Sequence, residues 1–247
     1  MLRLYHVLLG LILIPIGVKT AVSYFSDDQK SEPSTVKTPT PTTTLVSAKS
    51  NETNIWNNLI EETPLPPDWK INPCANNNYL LCVSANGKTI GTVEMGIFPL
   101  ETQLSFQKML INAGVPPNSD INYQSPKYLT QVKTALNAWV TNQYNLLAKN
   151  HSQKAKTKDG ILFSPYPPQK ARVGKLEGVR YGFGGLKQKG GVHEHHISYI
   201  AFDGKALYLI KTAFEPAPST GNFQKLENLS VFQPYLNAVV ANLKLPK

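Results

Sequence analysis

The residues best equipped for chemistry are His193-Glu194-His195-His196, which hold three of the chain's five histidines beside a carboxylate. Successive side chains on a strand point to opposite faces, so His193 and His195 share one side and Glu194 and His196 the other. Two imidazoles on one face can share a divalent metal such as Zn²⁺ or Cu²⁺ with a third ligand from elsewhere. The spacing is not that of the HExxH helix of zinc proteases. The same residues also read as a solvated strand end after Gly190-Gly191, or as a pH-sensitive contact.

Other catalytic patterns are missing. Gly182 to Gly191 (GFGGLKQKGG) lacks the Gly-Lys-Ser/Thr ending of a phosphate loop and reads as a flexible hairpin loop. There is no Gly-x-Ser-x-Gly, and no carboxylate pair stands out beyond Glu61-Glu62 in a Pro-rich segment. The expectation is a non-enzymatic protein with no cofactor, a divalent metal at His193 and His195 being the exception.

Charge offers a second kind of site. Between Lys149 and Lys189 ten Lys/Arg face only Asp159 and Glu177, and the whole chain carries a formal +9. Lys154, Lys156, Lys158, Lys170, Arg172, Lys175 and Arg180 are the candidate docking residues. An acidic protein surface or anionic lipid headgroups are the expected partners. Nucleic acid is not expected, because the chain reads as exported.

That address comes from the N-terminus. Arg3 precedes the apolar run Val7 to Val18, which is too short to span a bilayer and fits a signal-peptide core. Lys19 and Pro15 spoil the cleavage site, so residues 1–25 read equally as a cleaved signal or a membrane anchor. Residues 26–53 are rich in Ser, Thr, Pro and Lys and read as a disordered linker. Residues 54–247 read as a single domain. The expected location is the periplasm, a thylakoid lumen or the extracellular space. Cys74 and Cys82 fit an oxidising compartment as a disulfide, which would contribute roughly 2–3 kcal/mol by closing a short loop. Two unpaired core thiols are the alternative.

Several elements must position these groups. Asn86-Gly87 between Tyr79–Ser84 and Lys88–Phe98 is a type I′ hairpin signal. Gly114 marks the end of a helical stretch from Glu101. Residues 126–150 carry Leu129, Val132, Leu136, Trp139, Val140 and Leu147 at helical spacing, behind Pro126 at the first turn. Strands are expected at 161–163, around Val173, and at 179–183. A second hairpin joins 197–202 to 206–214 through Asp203-Gly204. Its first strand is apolar on both faces, with Ile197, Tyr199 and Ala201 opposite Ile200 and Phe202, as in a sheet covered on both sides. A last helix is expected near 231–243, capped by Ser230, with Phe232, Tyr235, Leu236, Val239, Val240 and Leu243 as its stripe. Such blocks predict α+β architecture with a mainly antiparallel central sheet flanked by helices.

The hairpin SYIAFDGKALYLIKTAFEP, the Phe223 and Leu226 loop and the helix VFQPYLNAVVANL together resemble the C-terminal half of PsbP-like domains. That resemblance implies an α/β/α sandwich and an exported, extrinsic accessory protein. A third functional reading is a small-ligand carrier, with a cleft between the sheet and the 126–150 helix walled by Trp139.

Overall fold

In a computed structural model of the chain, Asn86 and Gly87 both have positive φ (49° and 74°) and join two strands as the type I′ signal requires. The structure describes residues 54–57, 63–116, 121–154, 160–217 and 220–245, with residues 152–154 described by their backbone alone. The expected signal or anchor at 1–25 and the linker at 26–53 lie outside them. Among the described residues no helix is long and apolar enough to cross a membrane.

The strands are β1 (Trp69–Pro73), β2 (Leu80–Ala85), β3 (Lys88–Pro99), β4 (Ile161–Val173), β5 (Leu176–Lys187), β6 (Val192–Phe202) and β7 (Ala206–Phe214). They form one sheet in the order β1-β2-β3-β7-β6-β5-β4, and every neighbouring pair is antiparallel. The helices are α1 (Leu104–Asn112), α2 (Pro126–Lys154) and α3 (Leu226–Ala241). Gly114, at φ 87°, lies just past the end of α1 where a left-handed residue is needed.

Alternation along β6 divides the core in two. Ile197, Tyr199 and Ala201 pack with Leu229, Phe232, Leu236, Val239 and Val240 of α3. Ile200 and Phe202 pack with Phe106 and Leu110 of α1 and with Val132, Leu136 and Val140 of α2. The sheet is therefore covered on both faces, as the two-sided apolar strands predict. Cys74 and Cys82 are disulfide-bonded, with Cα atoms 5.1 Å apart, and tie the end of β1 to β2.

Three expectations need correction. First, α3 begins at Leu226, so Ser230 lies inside it and caps nothing; Lys225 occupies the N-cap without a side-chain bond. Second, the short strand pieces at 161–163 and 173 are one strand of 13 residues running through Pro165, Pro167 and Pro168. Proline is tolerated there because β4 is an edge strand, and the register shifts between Tyr166 and Gln169. The Tyr144 hydroxyl of α2 fills that irregularity. It accepts from Gly182 N–H (3.1 Å) and lies within donating reach of the Tyr166 (2.7 Å) and Gly182 (3.0 Å) carbonyls. Third, Gly182, Gly184 and Gly185 are not a flexible loop: they are buried positions inside β5.

The chain after β7 folds back into the sheet. Thr92 N–H donates to Asn222 O (2.9 Å), and Phe223 N–H donates to Ala213 O (2.6 Å), so residues 221–223 wedge between β3 and β7. Gly91 makes this fit, because a Cβ there would lie 2.5 Å from the Phe223 ring.

Candidate functional site

The β5–β6–β7 register arranges the polar side chains in cross-strand rows. Glu194 faces Gly185, His196 faces Phe183 on one side and Ala213 on the other, and Ser198 faces Tyr181 and Lys211. These rows lie on the α2 face, because Tyr181 packs against the α2 core. His195 shares the opposite, α3 face with Ile197. The expected alternation holds for Glu194, His195 and His196, whereas His193 is the extra residue of a β-bulge, because Leu186 pairs with Val192.

On the α2 face, Glu194 sits between two histidines. Its Oε2 lies 2.9 Å from His196 Nε2, and its Oε1 lies 2.7 Å from His151 Nε2 of α2. His151 Nδ1 lies 2.9 Å from the Leu147 carbonyl one helical turn back. That carbonyl and the Glu194 carboxylate both accept, so the two bonds together call for a proton on each ring nitrogen of His151. The His196 bond, reinforced by His151, holds the Glu194 carboxyl well below the usual carboxylate range, to about 2, against the opposing effect of burial. Glycine at 185 provides the space: a Cβ there would lie 2.6 Å from Glu194 Cγ. Phe183 stacks on His196 with ring centroids 4.2 Å apart, and Phe163 packs against His151. Glu215, just beyond β7, brings its Oε2 to 4.0 Å from His196 Nε2.

Beside this cluster a cleft of about 250 Å³ opens between α2, the sheet and Glu215, Thr220 and Gly221. His196, Glu215, Gln143, Ser198, Lys211 and Thr220 are among its lining residues. Its rim is fastened by Glu94, a buried carboxylate of β3 that accepts from Thr220 Oγ1 at 2.6 Å and pairs with Lys211 at 3.4 Å. Trp139, the expected cleft wall, does not line it. Trp139 packs edge-on against Tyr181, and around Val132 and Leu136 the space left between α2 and the sheet is only about 10 Å³.

On the α3 face, His195 Nδ1 lies 2.9 Å from the Tyr166 hydroxyl. Burial, aided by the nearby positive charges of His196 and Arg180, holds the His195 pKa below its ordinary value, and a Gln233 hydrogen bond acts the other way. Gly184 gives the Tyr166 hydroxyl its room, since a Cβ there would lie 2.9 Å from it. Among the described residues, the group of three metal-capable side chains is Glu194, His196 and Glu215, without His193 or His195. Sequence reasoning missed His151 and Glu215. A signal existed for Glu215, which lies opposite Glu194 once the β6–β7 hairpin register is extended by one residue.

The basic candidates gather along one edge of the sheet but not on one face. Lys170 and Arg172 of β4 point to the α2 side, and Lys170 pairs with Glu177 at 2.9 Å. Arg180 of β5 points to the α3 side and reaches Gln169 at 3.4 Å. Lys175 is exposed in the turn between the two strands. Lys154 is described by its backbone alone, and Lys156 and Lys158 lie outside the described residues. At the other end of the hairpin, Leu162 and Leu186 form an exposed cross-strand pair beside the exposed Lys187 and Lys189.

The fold is thus an antiparallel α+β sandwich. No family model matches the sequence, and no curated protein does. The solution structure of cyanobacterial PsbP (CyanoP) from Synechocystis sp. PCC 6803 is a weak likeness of fold. Its sequence identity is 9% over 74% of this chain and 85% of that chain, with a TM-score of 0.34. A likeness that weak carries no conclusion about the family or function of this chain.

Proposed function

We propose that this chain is an exported, non-enzymatic accessory domain that docks on an anionic membrane surface through its β4–β5 hairpin. The observation that carries the reading is the charge of that hairpin and its following turn. Across the described residues 160–191, Lys170, Arg172, Lys175, Arg180, Lys187 and Lys189 meet a single carboxylate, Glu177. Lys170 and Arg172 lie on the edge strand β4, which has no neighbour on its outer side, and Lys175, Arg180, Lys187 and Lys189 follow on its hairpin partner and the flanking turns, so the cations gather at one border of the domain. The exposed Leu162–Leu186 pair beside Lys187 and Lys189 adds apolar area of the kind that enters a headgroup layer. Each cation near an anionic surface contributes about 1 kcal/mol at physiological ionic strength. An apolar N-terminus followed by a polar spacer would keep such a border close to a bilayer.

Co-sedimentation of the full chain with phosphatidylglycerol-containing vesicles and with purely zwitterionic vesicles tests the proposal. The difference between the two cancels whatever the apolar N-terminus contributes. Preference for the anionic vesicles, lowered by added salt and by Lys187→Glu with Lys189→Glu, is expected. Equal partition into both vesicle types would leave an acidic protein partner as the better reading.

A further inference from the structure

The cluster on the α2 face points to a second activity, independent of the docking border. We propose that Glu194, His196 and Glu215 bind a divalent transition-metal ion, Zn²⁺ by the chemistry of the donors, with a coordination position open to the adjacent cleft.

The donor atoms are nearly in place. Glu194 Oε2 and His196 Nε2 are 2.9 Å apart, His196 Nε2 and Glu215 Oε2 are 4.0 Å apart, and all three ligand atoms lie within 4.8 Å of one another. Tetrahedral Zn²⁺ with bonds near 2.0 Å sets its ligand atoms about 3.3 Å apart. Glu215 must therefore close by roughly 1 Å, a shift within reach of a partly exposed side chain just past the end of β7. Two side chains on adjacent positions of one sheet face supply the rest, so no backbone rearrangement is required.

The surroundings suit a metal. His151 holds Glu194 Oε1 and leaves Oε2 aimed at the ion, which is how outer histidines and carboxylates orient ligands. The ion replaces the hydrogen on His196 Nε2, and the neutral ring then carries its proton on Nδ1. Phe163 and Phe183 wall the cluster on the β4–β5 side. One imidazole with two carboxylates favours Zn²⁺ over Mg²⁺ or Ca²⁺, which prefer all-oxygen shells. Three protein ligands leave a fourth position, and His196 and Glu215 both line the cleft of about 250 Å³, so water or a small anionic ligand can complete the shell.

Calorimetric titration of the full, chelator-treated chain with Zn²⁺, without a histidine tag, tests this directly. One ion per chain is expected. Glu215→Gln and His196→Asn should each weaken binding by at least about tenfold, and His151→Asn, acting through Glu194, by about ten- to a hundredfold. Combined His193→Ala and His195→Ala should leave binding unchanged. Co²⁺ in place of Zn²⁺ should give visible bands that Glu215→Gln alters. Glu215 lies outside the core, so its variant keeps the fold, which thermal melting verifies. The proposal is overturned by absence of Zn²⁺ binding to the wild type. Binding indifferent to Glu215→Gln and His196→Asn, or lost with His193 and His195, overturns it equally.

Discussion

The two faces of the sheet are built alike at one end and differently at the other. On the α3 face, apolar packing runs from Trp56 through Phe223 and Phe232 to Leu243. On the α2 face, the apolar cluster stops near Val140, and Tyr144, His151, Glu194, His196 and Glu215 take over. Helix α2 continues past the apolar core, so its last turns meet polar rows of the sheet and leave a cleft. The lesson is that β6 supplies the same alternating backbone to both sides, and the covering element decides whether a histidine is buried quietly or joined to carboxylates. His195 meets a tyrosine, whereas His196 meets two glutamates.

If the α2 face gives up packing only at its far end, its middle must be as structural as the α3 face. Leu136→Ala and Leu236→Ala, both at fully buried sites, should each cost about 2–5 kcal/mol in denaturant unfolding. A cost below about 1 kcal/mol for Leu136→Ala would break the comparison. The paired glycines sharpen it further. Gly185→Ala should destabilise by about 1–3 kcal/mol and weaken Zn²⁺ binding, because the new methyl group collides with Glu194. Gly184→Ala should cost less and leave Zn²⁺ binding intact, while shifting the His195 imidazole resonance through Tyr166. Loss of Zn²⁺ binding in both variants would contradict the separation of the faces.

A further effect, confined to one pH window, appears at high pH. Burial raises the phenol pKa of Tyr144, Tyr166 and Tyr181, and pushes that of Tyr199, which donates to Asn237 Oδ1, up to about 12. A folded value above the unfolded 10.0 means that Tyr199 contributes fully below pH 10 and loses that contribution as pH climbs from 10 towards 12. Stability should therefore fall with a shallower slope over that window in Tyr199→Phe than in the wild type. Equal slopes would show that Tyr199 ionisation does not govern alkaline unfolding.

Local features were legible in the sequence. Asn86-Gly87 names its own turn, and the two-sided apolar pattern of Ile197 to Phe202 is enough to place helices on both faces. Features resting on close approach were not legible. Gly184 and Gly185 look like a flexible loop, yet they are present because Tyr166 and Glu194 need the volume a Cβ would take. Pro165, Pro167 and Pro168 argue against a strand unless it is known to be an edge. The histidine cluster showed which side chains share the face of Glu194 but not that face's partners. Glu215 could be found only by extending the β6–β7 hairpin register, and His151 comes from a helix far away in sequence, so only packing on the sheet brings it to Glu194.

The docking border is tested most directly by reversing Lys170, Arg172, Lys175 and Arg180 to Glu together and measuring the full chain's affinity for anionic vesicles across a range of salt. The wild type should bind more weakly as salt rises. The variant should lose about tenfold or more at low salt and become nearly indifferent to salt. Affinity and salt slope unchanged by the four reversals would contradict the account.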